Sequence, residues 1–248
     1  MKHIAFCTGS LLLTTDWQLP SKLPSVAFAW PRQVTSLSHD GEEARIYRLD
    51  YPVVDVEGYQ MVPLRQTYFH LSMAEYQLAG KAAELLYWDG NTRYCGCCGG
   101  TTRWQTEISK QCDFCGKEYW PSLATAIIVR VTRGDEMLMI QSNKFKNDMF
   151  GMVAGFVETG ETLEECVQRE VMEETRIRIR NIRYFGSQPW PYPCGLMVAF
   201  TADYDGGELS LQKEELRKAG WFRRDSMPNI PDEASIARWL IDDWLKQK

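Results

Sequence analysis

The sequence predicts an α+β fold, and three observations carry that prediction. Apolar runs of strand length, "ATAIIVRVTRG", "EMLMIQ" and "MFGMVAGFVE", follow one another from Ala124. A helical pattern interrupts them from Thr162 to about Thr175, after which "IRNIRYFGSQPW" and "GLMVAFTADY" again read as strands. Two C-x-x-C pairs, Cys95 with Cys98 and Cys112 with Cys115, separate this half from a first half of different texture. The chain of 248 residues therefore divides into 1–90, a small N-terminal α/β domain; 91–121, a cysteine segment; and 122–248, the larger domain.

In chain order, the opening "MKHIAFCTGSLLLTTDW" loosely mimics a signal peptide, but Thr8, Gly9 and Ser10 interrupt its apolar run and no small-x-small cleavage site follows. It is read as an ordinary first strand. "SMAEYQLAGKAAELLYW" reads as a helix, with Met73, Tyr76, Leu78, Ala82, Leu85 and Leu86 near one face. The cysteine segment is too small to fold on apolar burial alone. Gly134-Asp135 is the turn between the first two strands of the larger domain, and the closing "DEASIARWLIDDWLK" is an amphipathic helix with Ile236, Trp239, Leu240 and Trp244 on one face.

The net charge of −5 argues against general binding to a phosphate backbone, so any nucleic-acid role must be local. No stretch approaches the length of a membrane span. Four of the eight cysteines fall in the two close pairs, a spacing that metal explains better than disulfides, so a reducing, cytoplasmic setting is expected. The three histidines, His3, His39 and His70, lie outside every motif.

"REVMEET", 169–175, crowds Glu170, Glu173 and Glu174 together. Thr162 and Glu165 form a capping box that starts the helix. At about 100° per residue, Leu163, Cys166, Val167 and Val171 form a buried stripe. The three glutamates extend that stripe, whereas Glu164, Glu165, Gln168 and Met172 point away. A glutamate cluster is usually a solvated face. That suits Glu164 and Glu165, but inward carboxylates at i,i+3 and i,i+4 repel and need a cation. Mg²⁺ or Mn²⁺ is such a cation, and also binds substrate phosphates.

Gly155, five residues, Glu161, seven residues and "REVMEETRI" closely resemble the Nudix box of the Nudix hydrolases. The resemblance implies an α/β/α sandwich with a mixed sheet. It makes Glu170, Glu173 and Glu174 metal-binding carboxylates, one of them also the base for the attacking water. Gly155 and Glu161 shape the loop, and Arg169 is the ion-pair partner, with a surface salt bridge as its bland alternative. Arg176 stands where the family has glycine. If the backbone there is left-handed, a side chain costs on the order of 1 kcal/mol. Cys166, on the buried stripe, is read as packing.

Cys95, Cys98, Cys112 and Cys115 have the spacing of a structural Zn²⁺ ribbon, with Cys97 a neighbouring thiol able to compete in register. A ribbon before a Nudix box, followed by "SQPWPYP" at 187–193, resembles the NADH pyrophosphatase family, although Tyr192 stands where phenylalanine is common. This implies a homodimeric enzyme hydrolysing NADH or NAD⁺ to nicotinamide mononucleotide and AMP, and removal of NAD caps from RNA 5′ ends. By the same resemblance Phe156 and Trp120 are ring-contacting aromatics, Trp120 replacing the family's common tyrosine, and Trp190 is a substrate-binding residue. Phe156 and Trp120 read equally as core residues. Gln188 resembles a substrate contact through its side chain and Ala237 one through its backbone. Glu215 in "KEELRKAGWF" matches a further metal carboxylate, with Glu214 its substitute and an exposed helix glutamate the rival reading.

Two other functions compete. A Nudix hydrolase of ADP-ribose, coenzyme A or another nucleoside diphosphate derivative shares the box, and "SQPWPYP" argues against it. A zinc-ribbon nucleic-acid-binding protein with an inert Nudix domain is opposed by the complete glutamate set and by the acidic chain.

Overall fold

The computed structural model describes residues 1–25, 32–39, 42–145 and 147–247. Its contacts divide the chain into two compact units, one of Met1–Leu123 with Trp190–Cys194 and one of Ala124–Pro189 with Gly195–Lys248. Among the described residues no helix is long and apolar enough to cross a membrane.

The first unit opens on β1 (Lys2–Cys7) and β2 (Ser10–Thr14), so the expected single strand is two. The reversal lies at Thr8 and Gly9, whose φ of 44° and 81° give the tight turn a hairpin requires. β3 (Arg32–His39), β4 (Glu42–Arg48) and β5 (Tyr59–Pro63) complete a sheet of order β3-β4-β1-β2-β5, in which β1 and β4 run parallel. Ile4, Leu11 and Leu13 pack on one face with Tyr76, Ala79, Ala82 and Leu86 of α1 (Met73–Asn91). Ala5, Cys7 and Leu12 face the other side with Leu23 and Leu49. Burial on both faces is why the opening reads as a continuous apolar run. Met73 departs from its expected place and is 48% exposed. A Ser72–Glu75 capping box, which had not been anticipated, starts α1.

The cysteine segment folds as β6 (Thr102–Thr106), β7 (Ser109–Cys112) and β8 (Glu118–Tyr119), a separate antiparallel sheet. It is tied to α1 within the same unit. Buried Lys110 donates from Nζ to Asp89 Oδ1 and to Thr92 O, both at 2.9 Å, beside Trp88 and Trp104.

The second unit contains β9 (Ala124–Arg133), β10 (Glu136–Ser142), β11 (Val153–Phe156), α2 (Leu163–Thr175), β12 (Arg178–Trp190), β13 (Gly195–Gly206), β14 (Leu216–Arg223) and α3 (Ile236–Lys246). Its sheet runs β12-β13-β9-β10-β14, with β11 also on β9 and β13 parallel to β9. Alternation along β9 sends Ile127, Val129 and Val131 to the face covered by Cys166, Val167 and Val171 of α2, and Ile128 to the face covered by α3. This is the expected α/β/α sandwich with a mixed sheet. Arg130, in the middle of that apolar run, turns to α3 and donates to Leu240 O at 2.8 Å and Asp243 Oδ2 at 2.6 Å.

Two local expectations change. The exposed helix glutamate that rivals the metal reading of Glu215 is excluded, since Glu215 lies half-buried in a turn before β14. Trp239, expected on the buried face of α3, is 39% exposed and its place is taken by Ile241. Its indole Nε1 donates to Glu233 O instead, at 3.2 Å.

α2 ends on Arg176, at φ 61° and ψ 16°, so the residue in place of the family's glycine is left-handed. Glycine would relieve about 1 kcal/mol of strain but loses a similar ~0.5–1 kcal/mol through its freer unfolded chain. Urea unfolding of Arg176→Gly should therefore move by less than about 0.5 kcal/mol. Arg176→Val, whose β-branch suits positive φ badly, should lose about 1 kcal/mol or more.

Candidate active site

α2 carries the carboxylates, and its N-terminus is fixed by the predicted capping box: Thr162 Oγ1 accepts from Glu165 N at 3.2 Å, and Glu165 Oε2 accepts from Thr162 N at 2.7 Å. Arg169, one turn further on, gathers the acids. Its Nε and Nη2 grip Glu161 at 3.0 and 2.7 Å, while Nη1 donates to Glu170 Oε1 at 2.9 Å and to Glu173 Oε2 at 3.1 Å. Nη2 also donates to Phe156 O at 3.0 Å. A guanidinium used along both edges is a fork that lysine cannot copy. The Arg169 guanidinium first, then the Glu158 amide, hold Glu161 down at about 2.

The acids differ in what they lack. Glu173 has a half-exposed side chain, and Glu170 is buried enough that desolvation raises its carboxyl, with Arg169 pulling it back. Glu174 is 4% exposed, and its Oε2 has no hydrogen-bond partner. Burial, then the charges of Glu170 and Glu215, push Glu174 up to about 8, against the pull of Lys144. Lys144 belonged to no sequence motif. A buried, unpaired carboxylate oxygen beside other carboxylates suits a hard divalent ion, which takes oxygen ligands and offsets that repulsion. Among the described residues, however, the glutamate oxygens are not drawn within 4.8 Å of one another as a group, unlike the cysteine sulfurs.

Gly155 faces this set from β11. A methyl group there would overlap the Glu170 carboxylate, so the space that Glu170 occupies exists because residue 155 has no side chain. Gly155→Ala should displace Glu170 by about 1 Å and cost on the order of 10²-fold in turnover with little loss of stability. Paired activity assays and thermal melts would check this. Cys166 packs beneath, and burial pushes its thiol up to about 12, which removes it as a nucleophile.

The remaining positions fall out unevenly. Glu215 is half-buried in its turn and its charge acts on Glu170 and Glu174, whereas Glu214 is exposed. Phe156 is 65% exposed and Trp120 55% exposed, so neither is a core aromatic. Trp190 lies under the Arg65 guanidinium at 5.1 Å and edge-on to Tyr192. Gln188, expected to reach substrate through its side chain, is instead buried with both ends occupied: Nε2 donates to Ala234 O at 3.0 Å and Oε1 accepts from Ile236 N at 2.7 Å. It braces the start of α3. Ala237 is buried on α3, and its amide donates to Ser235 Oγ at 3.2 Å.

In the first unit, the sulfurs of Cys95, Cys98, Cys112 and Cys115 all lie within 4.8 Å of one another, and Cys97 stays outside the group. Cys95 and Cys115 approach to 3.6 Å, Cys98 and Cys112 to 3.5 Å. Four sulfurs about 2.3 Å from a tetrahedral ion stand about 3.8 Å apart, so the group fits a divalent metal. Tyr119, whose hydroxyl donates to Cys95 Sγ at 3.0 Å, leads the causes that hold the Cys95 thiol down at about 6.

Comparison with known proteins adds to this geometry. A NUDIX-domain model matches residues 121–243, and a model described as an NADH pyrophosphatase-like rudimentary NUDIX domain matches residues 4–88. Nothing read in the first 90 residues had suggested a second, reduced copy of that domain. The chain is 40% identical over 230 residues to the NAD-capped RNA hydrolase NudC of Pectobacterium atrosepticum, covering 92% of this chain and 82% of that protein. The protein of the same name from Pseudomonas aeruginosa is 38% identical over 244 residues, covering 97% and 84%. The crystal structure of a NUDIX hydrolase from Nitrosomonas europaea superposes with a TM-score of 0.51 at 18% identity, over 62% of this chain and 94% of that one, a likeness of fold alone.

Proposed function

We propose, since this chain belongs to the NADH pyrophosphatase family of Nudix hydrolases, that it hydrolyses the pyrophosphate of NADH or NAD⁺ to nicotinamide mononucleotide and AMP and removes NAD caps from RNA 5′ ends. The observation that carries this reading is the carboxylate set gathered by Arg169 together with buried Glu174, whose Oε2 has no partner and which feels the charges of Glu170 and Glu215. Glu170, Glu173, Glu174 and Glu215 would hold the catalytic Mg²⁺ or Mn²⁺. When bound, such ions neutralise phosphate oxygens and lower the pKa of water. One of the α2 glutamates takes the proton of the attacking water, and Arg169 fixes their relative positions. Phe156 presents a ring face to a substrate base, for about 1 to 3 kcal/mol. Ala237 lines the site, and Gln188 serves it by holding the start of α3.

Cys95, Cys98, Cys112 and Cys115 would hold Zn²⁺ in a structural role. The three-part division at 1–90, 91–121 and 122–248, a dimerising role for the first part, a homodimer and a cytoplasmic setting belong to the same proposal.

The test is incubation of the purified protein with NADH, NAD⁺, ADP-ribose and an NAD-capped RNA separately, with Mg²⁺ or Mn²⁺, and chromatography of the products. Formation of nicotinamide mononucleotide and AMP, with NAD compounds preferred, is expected. Cleavage of ADP-ribose alone would refute the substrate assignment, and no cleavage would favour a binding role.

A further inference from the structure

We propose that Asn143 is the positioning residue that sets Glu215 against the carboxylates of α2; this rests on the reading of Glu215 as a metal ligand. Glu215 stands in the turn Lys213–Glu215, whose other two side chains are exposed, and buried Leu216 anchors the chain only after the turn. Its position depends on backbone hydrogen bonds, and these come from two sides. Gln212 N donates to Glu174 O at 3.0 Å, which docks the chain before the turn onto the end of α2. From the other side, Asn143 donates to all three carbonyls of the turn: Nδ2 to Lys213 O at 3.0 Å and Glu214 O at 2.9 Å, and the amide to Glu215 O at 2.7 Å.

Few side chains can do this. Two carbonyls must be met by two protons on one short, rigid group, which describes a primary amide on a single methylene. Aspartate has the same shape but would turn acceptor oxygens toward acceptor carbonyls. The β10–β14 ladder is irregular at Gln141 and Ser142, the place where a bulge re-aims the chain toward a site. Arg217, at the start of β14, completes the clasp by donating from Nη2 to Ser142 O and Asn147 O, each at 3.2 Å, and to Phe145 O. Each segment is thus held by a residue of the other.

Direct Mn²⁺ titration of the zinc-loaded full chain, read by the paramagnetic resonance of the free ion, tests this without turnover. Asn143→Ala and Asn143→Asp should weaken Mn²⁺ binding by about tenfold or more, the usual cost of removing an outer support of a ligand. Their melting temperatures should stay within about 2 °C of the wild type, since the residue is exposed. In a Glu215→Gln background, Asn143→Ala should cause no further loss, because its effect passes through that carboxylate. Wild-type affinity in Asn143→Ala, with weakened binding in Glu215→Gln, would overturn the positioning role alone. A full additional loss in the double variant would overturn it too. Wild-type affinity in Glu215→Gln would instead remove the ligand reading on which the proposal stands.

Discussion

Glu174→Gln is expected to lower turnover by on the order of 10³-fold, the scale of removing one group that stabilises transition-state charge, while stabilising the metal-free protein above neutral pH. Both effects have one source. The carboxylate is 4% exposed, and its Oε2 is unpartnered, so in the absence of a cation the native state favours its protonated form. Its pKa of about 8 lies above that of an unfolded glutamate. The stability linked to this group is therefore fully present below about 4.5, the unfolded value, and is lost as pH rises through about 8. Glutamine carries no charge to desolvate, so its advantage should grow over that window, reaching a few kcal/mol by order of magnitude. Thermal melts of the zinc-loaded protein without Mg²⁺ or Mn²⁺ at pH 5 and pH 9, with NADH turnover alongside, separate the outcomes. Equal melting temperatures at pH 9, or activity within tenfold of the wild type, would sink this account of the site.

What could be read from the sequence follows from the range of the interactions involved. α2 was legible because its capping box, apolar stripe and glutamates are all set by neighbours within one or two turns. The wheel alone places Glu170 and Glu174 on the inward side, as the structure has them, but misplaces Glu173, whose side chain is half-exposed. Long-range partners were not legible: nothing near Lys110 points to Asp89, and nothing near Arg130 points to Asp243. β14 was missed because "LRKAGWFR" alternates weakly and its partner β10 lies far away in sequence. Asn143 gave no signal either, since a lone asparagine after a strand is an ordinary loop residue. Gln188 shows a different limit. Its burial could not be seen in "SQPWPYP", and burial turned a presumed substrate contact into a brace for α3.

Stripping the four-cysteine group of zinc should produce the largest loss of stability in the chain. The ribbon's sheet consists of three short strands, and much of its surface is exposed, so it has little apolar burial of its own. Without a cation the four cysteine sulfurs, within 4.8 Å of one another, cannot all stay ionised, and the link that a metal makes among them is lost. Structural zinc contributes about 10 to 16 kcal/mol to small sites of this kind, as much as the whole stability of an ordinary domain, about 5 to 15 kcal/mol. The effect should spread within the first unit. Trp104 and Tyr119 pack on the core beneath α1, and Lys110 is buried against Asp89; if the ribbon opens, Asp89 is left without its cation. Cys112→Ser, or a chelator, should therefore remove one zinc per chain and lower the melting temperature by more than about 10 °C. Cys97→Ser is the matched control, since that thiol is exposed and outside the group, and it should keep both zinc and stability. Zinc content by atomic emission, set beside the melts, decides the matter: a chelated protein that melts like the wild type would show that the ribbon does not depend on its metal.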